Sequence, residues 1–129
     1  MSIKQVKETC LYIEDIDRTK AFYEKKLGLP VISIAPGRHI FFRAGTSVLL
    51  CFIAAVTKQE ERLPPHYAKG KQHIAFEISK EEYMSWKEKL REVGVRITHE
   101  EHWKNGYSSF YFDDPDGHVL EIVEEGFWG

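Results

Sequence analysis

Apolar and polar residues alternate over residues 6–13, so that Leu11 and Ile13 face one side of a strand and Glu8, Cys10 and Tyr12 the other. Asp15 or Asp17 then offers an N-cap for a helix through Ala21, Phe22 and Leu27, stopped by Gly28 with Pro30 beyond. Three short strands follow, at 31–35, 39–43 and 47–53, with Pro36-Gly37 and Gly45 marking the turns. Residues 54–70 carry charge, the pair Pro64-Pro65 and no periodicity, which reads as a linker. Alternation returns over 72–78, with Ile74, Phe76 and Ile78 on one face and His73, Ala75 and Glu77 on the other. Tyr83, Trp86, Leu90 and Val93 then recur at helical spacing within 81–93, closing at Gly94. Strands at 95–99, 107–112 and 119–123 complete the pattern.

The order strand, helix, strand, strand, strand thus occurs twice. One common shift lays Glu8 and Ile13 on His73 and Ile78, a nearly equal one lays Gly28 on Gly94, and Val48-Leu49-Leu50 matches Val119-Leu120-Glu121. A repeat of this kind predicts that each unit covers one face of its sheet with its own helix, and that the two sheets face each other. Glu8, His73 and Glu121 then all fall on the face away from the helices, and Leu50 takes the fourth equivalent place.

With 129 residues, 43% hydrophobic and 29% charged, the chain has the make-up of one globular domain. Its longest apolar run is strand length, well short of the ~20 residues of a membrane helix. No charged-then-apolar leader is expected within residues 1–10. A net charge of −2 with scattered Lys and Arg gives no basic face for nucleic acid. Cys10 and Cys51 form no CxxC or disulfide framework, so a reducing, cytoplasmic setting is expected.

One imidazole and two carboxylates on three different strands are a donor set for a divalent first-row metal, and the two carboxylates balance its charge. Three protein ligands leave room for water or substrate, as in a catalytic site. Against this stands the ordinary reading of a strand Glu or His as a solvated residue.

The run Ser109-Phe110-Tyr111-Phe112-Asp113-Asp114-Pro115-Asp116-Gly117-His118-Val119-Leu120-Glu121 resembles the C-terminal signature of the vicinal oxygen chelate superfamily. That superfamily includes glyoxalase I, bleomycin-resistance proteins, fosfomycin-resistance thiol transferases and extradiol dioxygenases. Residues 13–23 with Leu27-Gly28-Leu29 are similar to its first helix, and Gln72-His73-Ile74-Ala75-Phe76 to its middle strand. The resemblance implies an α+β fold of two βαβββ modules forming a U-shaped, mixed-sheet cleft. It divides one domain, 1–129, into module one at about 4–56, a linker at about 57–70 and module two at about 71–125. It also implies Glu8, His73 and Glu121 as metal ligands. Where many relatives have histidine, Glu8 makes the site richer in oxygen and favours Mn²⁺, Fe²⁺ or Mg²⁺, with Zn²⁺ and Ni²⁺ also in range.

Glu8, Glu121 and Tyr111 are the candidate catalytic residues. Ser109 shares the face of Tyr111, Cys10 that of Glu8, and His66 lies on the linker; each is a weaker candidate for substrate contact. His39, His99 and His102 have no ligand spacing, and Trp103, Phe127 and Trp128 suit either a pocket wall or a subunit interface. Asp113-Asp114-Pro115-Asp116-Gly117 has the composition of a tight turn.

The resemblance implies a small-molecule substrate whose developing oxyanion a metal stabilises, in a lyase, thiol-transferase or dioxygenase reaction. Leu50 stands where glyoxalase I relatives supply a carboxylate. The segment 122–129, acidic then apolar, lacks the basic residue that phosphonate binding would want. The alternatives are a non-catalytic drug- or metabolite-binding protein and an inert assembly domain. A homodimer, with or without exchanged modules, is expected; nucleic-acid and membrane partners are not.

Overall fold

A computed structural model describes residues 1–129, which fall into two compact units, Met1–Gly70 and Lys71–Gly129. In the first, β1 (Glu8–Ile13) leads to Asp15, whose carboxylate accepts from the Arg18 N–H at 2.7 Å and opens α1 (Ile16–Lys20). The helix widens into a π-helical stretch, Ala21–Lys26, where the Leu27 N–H reaches the Phe22 carbonyl five residues back at 3.2 Å. Strands β2 (Val31–Ala35), β3 (His39–Ala44) and β4 (Ser47–Ile53) follow. The sheet order is β1-β4-β3-β2, parallel between β1 and β4 and antiparallel elsewhere. Phe22, Tyr23 and Leu27 are buried, as are Leu11, Ile13, Ile40, Phe42, Leu49 and Cys51, and the Tyr23 and Phe42 rings meet at 5.4 Å.

The second unit repeats the plan. β5 (His73–Ile78) runs into a 3₁₀ turn (Lys80–Glu82) and a longer helix (Tyr83–Glu92), then β6 (Ile97–His102), β7 (Ser108–Asp113) and β8 (Val119–Glu124). The order β5-β8-β7-β6 is that of the first sheet, again with only the pair at one edge, β5 and β8, parallel. The fold is therefore α+β, a βαβββ module present twice. At the end of the longer helix Gly94, at φ +83°, lets the Val95 N–H return to the Leu90 carbonyl at 2.8 Å and the Gly94 N–H to Arg91 at 3.1 Å.

Two expectations from periodicity need correction. The linker is not wholly irregular: α2 (Ala54–Thr57) opens it, which makes Tyr83–Glu92 helix α3. The buried stripe of α3 is Tyr83, Lys87 and Leu90, while Val93 is exposed and Trp86 only half-buried. Lys87 is buried because its ammonium bonds both oxygens of Glu100 at 2.8 Å, and the Tyr83 hydroxyl donates to the same carboxylate at 2.7 Å. A charged side chain that finds its counter-ion under the helix takes an interior position which hydrophobicity alone would deny it.

A candidate metal and substrate site on the second module

On β8, Leu120 and Ile122 point toward α3, so alternation sends Glu121 to the opposite face. Glu121 is level with Ala75 of β5 and Tyr111 of β7, and Tyr111 is level with His99 of β6. His73, one alternate position before Ala75, leans across so that its Nε2 lies 3.2 Å from Glu121 Oε1. A polar row therefore crosses the whole sheet, from His73 through Glu121 and Tyr111 to His99, whose Nε2 is 2.9 Å from Glu101.

The histidine is oriented by its other nitrogen. His73 Nδ1 is 2.8 Å from the Val119 carbonyl, an acceptor only, so Nδ1 carries the proton. In the neutral ring Nε2 then presents a lone pair to a carboxylate oxygen. Two acceptors at 3.2 Å repel unless a proton or a metal cation sits between them. Glu121 is buried, with its side chain 9% exposed, whereas that of His73 is 51% exposed, so the pair is reached from the histidine side.

The turn before β8 sets this alignment. Asp114 Oδ1 accepts from the N–H groups of Asp116 and His118, each at 2.9 Å, and the Gly117 N–H closes the turn on the Asp114 carbonyl at 3.0 Å. Gly117 holds φ +82°, which the turn requires at that point. His118 is buried and its Nδ1 accepts from the Gln72 N–H at 3.1 Å, while the Val119 N–H bonds the Gln72 carbonyl at 2.8 Å. The residue before His73 is thus bolted to the turn leading to Glu121. No periodicity or ligand spacing marks His118; its place inside the signature is the available signal.

Tyr111 is half-buried, and its hydroxyl is shifted above its ordinary pKa, first by burial and then by its hydrogen bond to Glu121 and that carboxylate's charge. Ser109, two residues earlier on the same face, is fully buried and accepts the Trp103 indole N–H at 2.9 Å.

Among the candidates from module one, Glu8 is exposed at the first residue of β1. Cys10 is half-buried, its thiol pushed up by burial and then by Glu8, away from a reactive thiolate. Leu50 is buried, level with Cys10 and Phe41. His66 packs its ring 5.2 Å from Phe52, and the Thr57 hydroxyl donates to its carbonyl, so the linker is laid along its own module. The structure brings together His73, Glu121 and Tyr111. No group of three or more His, Cys, Asp or Glu side chains is placed to hold one metal ion.

Residues 5–122 match the Glyoxalase/Bleomycin resistance protein/Dioxygenase superfamily, and the chain belongs to that family. It is similar to a solved lactoylglutathione lyase from Agrobacterium tumefaciens, with a TM-score of 0.94, 32% identity and coverage of 99% of this chain and 98% of that one. It is also 26% identical to a glutathione transferase FosA of Serratia marcescens over 93% of this chain and 80% of the relative. A metallothiol transferase FosB of Bacillus licheniformis is 29% identical over 85% and 68% respectively. No helix is long and apolar enough to cross a membrane.

Proposed function

We propose that the chain is a metal-dependent enzyme acting on a small molecule, with His73, Glu121 and Glu8 as ligands to one divalent ion. The observation that carries this reading is the His73–Glu121 pair: the imidazole Nε2 and a carboxylate oxygen 3.2 Å apart, the imidazole fixed from behind by a carbonyl. Those donors fit a cation. A buried carboxylate and an oriented imidazole are the first two members of a His/carboxylate site, and Glu8, exposed at the start of β1, is the third ligand in this proposal. The bound ion would supply Lewis acidity toward substrate oxygens. Two carboxylates and one imidazole suit Mn²⁺, Fe²⁺ or Mg²⁺ and accommodate Ni²⁺ or Zn²⁺.

The residues of the chain perform the remaining tasks. The Val119 carbonyl holds the proton of His73 at Nδ1, leaving Nε2 as the donor atom. Tyr111 is level with Glu121 and its ring lies 6.3 Å from that of His73, so its hydroxyl can donate to a substrate oxygen as negative charge develops there. Lactoylglutathione lyase and thiol transferases among the relatives support a lyase or transferase reaction of this type. A cytoplasmic homodimer fits the same reading, each site drawing its Glu8 from its own chain or from the second copy.

The test is a panel of hemithioacetals, of epoxides with thiols, and of catechols under oxygen, run before and after chelation. We expect one class to turn over, to be lost with EDTA and to return with Mn²⁺ or Fe²⁺. Tyr111→Phe should lower that turnover by about 10²-fold. Activity unaffected by EDTA would overturn the reading.

A further inference from the structure

Beside the His73–Glu121 pair lies an aromatic surface for which the proposed chemistry has no use. At the β6–β7 hairpin the Trp103 N–H bonds the Tyr107 carbonyl at 2.8 Å, and its indole N–H is tied to fully buried Ser109 at 2.9 Å. Phe127 meets the indole edge-on at 5.6 Å, yet Trp103 remains 39% exposed. Ser109 precedes Tyr111 by two residues on the same face, a separation of about 7 Å along a strand. A large flat ring is therefore held in one orientation about one strand step from the polar row.

The charge of that face is one-sided. Strands β5, β6, β7 and β8 contain no Lys or Arg, and Glu77, Glu101 and Asp113 accompany Glu121 on the side away from α3. An anionic group arriving on the strands meets carboxylates and no lysine or arginine among them; the ammonium groups of Lys104, next to Trp103 in the chain, and Lys80, over the Tyr107 ring, belong to the hairpin end of the unit. An uncharged ring meets Trp103, on which stacking is favourable.

We propose that this face takes an uncharged aromatic substrate, its ring on Trp103 and its oxygen atoms toward Tyr111, His73 and Glu121, and that it disfavours phosphonates and similar anions. The proposal rests on the reading of this face as the substrate site and names the class of molecule it admits. Trp103 becomes its specificity-determining residue.

Four probes separate ring from charge: α-hydroxyacetophenone, hydroxyacetone, phenylphosphonate and methylphosphonate, titrated calorimetrically into the full chain with and without Mn²⁺. α-Hydroxyacetophenone should bind about tenfold more tightly than hydroxyacetone, which is 1.4 kcal/mol, and more tightly than phenylphosphonate. Trp103→Ala should erase the tenfold preference, Trp103→Phe should retain part of it, and Trp128→Ala, at a residue 90% exposed, should leave it intact. Thermal melts establish that each variant is folded. An equal preference in wild type and Trp103→Ala would overturn the proposal, as would tighter binding of phenylphosphonate. Loss of a dimer in Trp103→Ala with the ring preference unchanged would assign the indole to a subunit contact and overturn it too. Failure of Mn²⁺ to bind is a separate result: it removes the metal reading, while the ring preference is still read in the metal-free chain.

Discussion

Replacing Lys87 by Met removes a charge from beneath α3 while keeping most of the aliphatic stem that lies buried there. In the wild type the ammonium bonds both Glu100 oxygens at 2.8 Å, and its side chain is 9% exposed against 26% for Glu100. Removing one partner of a fully buried pair costs about 3–5 kcal/mol. Glu100 is partly solvated and keeps the Tyr83 bond at 2.7 Å, so about 2–3 kcal/mol is expected. For a chain of this size that corresponds to roughly 8–12 °C in Tm. Adding Glu100→Gln removes the stranded charge and should recover much of the loss, giving a coupling of about 1.5 kcal/mol or more in a double-mutant cycle.

Acid titration of the same variants checks the sign. Burial pushes the Glu100 carboxyl up, but the bonds from Lys87 and Tyr83 and the Lys87 charge together hold it below its ordinary value of 4.5. Its folded pKa is thus depressed, so its contribution to stability is present above pH 4.5 and fades as pH falls through the lowered value. The acid limb of the stability curve should flatten in Lys87→Met. A Tm within 2 °C of wild type, or strictly additive effects in the cycle, would refute the argument.

Two further substitutions probe how the site is held. His118→Ala leaves the Gln72 N–H without its acceptor inside the turn, so we expect a loss of about 1–3 kcal/mol by chemical denaturation. Because His118 positions the start of β5, metal affinity should also fall, by about tenfold in a Mn²⁺ titration. Gly126→Ala puts a Cβ 2.9 Å from the Tyr107 hydroxyl at a backbone φ of +92°. It should cost at least about 1–3 kcal/mol in thermal melts, by strain and by displacing Tyr107.

Much of this fold is legible because each element carries its own signal. Strands 31–35 and 47–53 fall where alternation and turn residues place them, and the repeat of Glu8 on His73 reflects two sheets of one order. The α3 stripe is not legible in the sequence because Lys87 is interior only by virtue of Glu100, which lies on β6 and leaves no trace in helical periodicity. His73 and Glu121 are legible as a pair, since alternation fixes the face of each and the turn motif fixes their register. The Trp103–Ser109 bond is not, because it depends on how a hairpin folds its indole back over β7. His118 escaped for a related reason: its partner is a backbone N–H across the sheet, an interaction that side-chain spacing does not encode.

The central claim is that His73 Nε2 and Glu121 Oε1 share a cation. The most direct measurement is Mn²⁺ binding to chelator-treated protein, followed by electron paramagnetic resonance of the free ion, for wild type, His73→Ala, Glu121→Gln and Glu8→Gln. The account predicts about one Mn²⁺ per wild-type chain, with affinity weakened at least about 10²-fold in each variant. Equal Mn²⁺ binding by wild type and Glu121→Gln would contradict it.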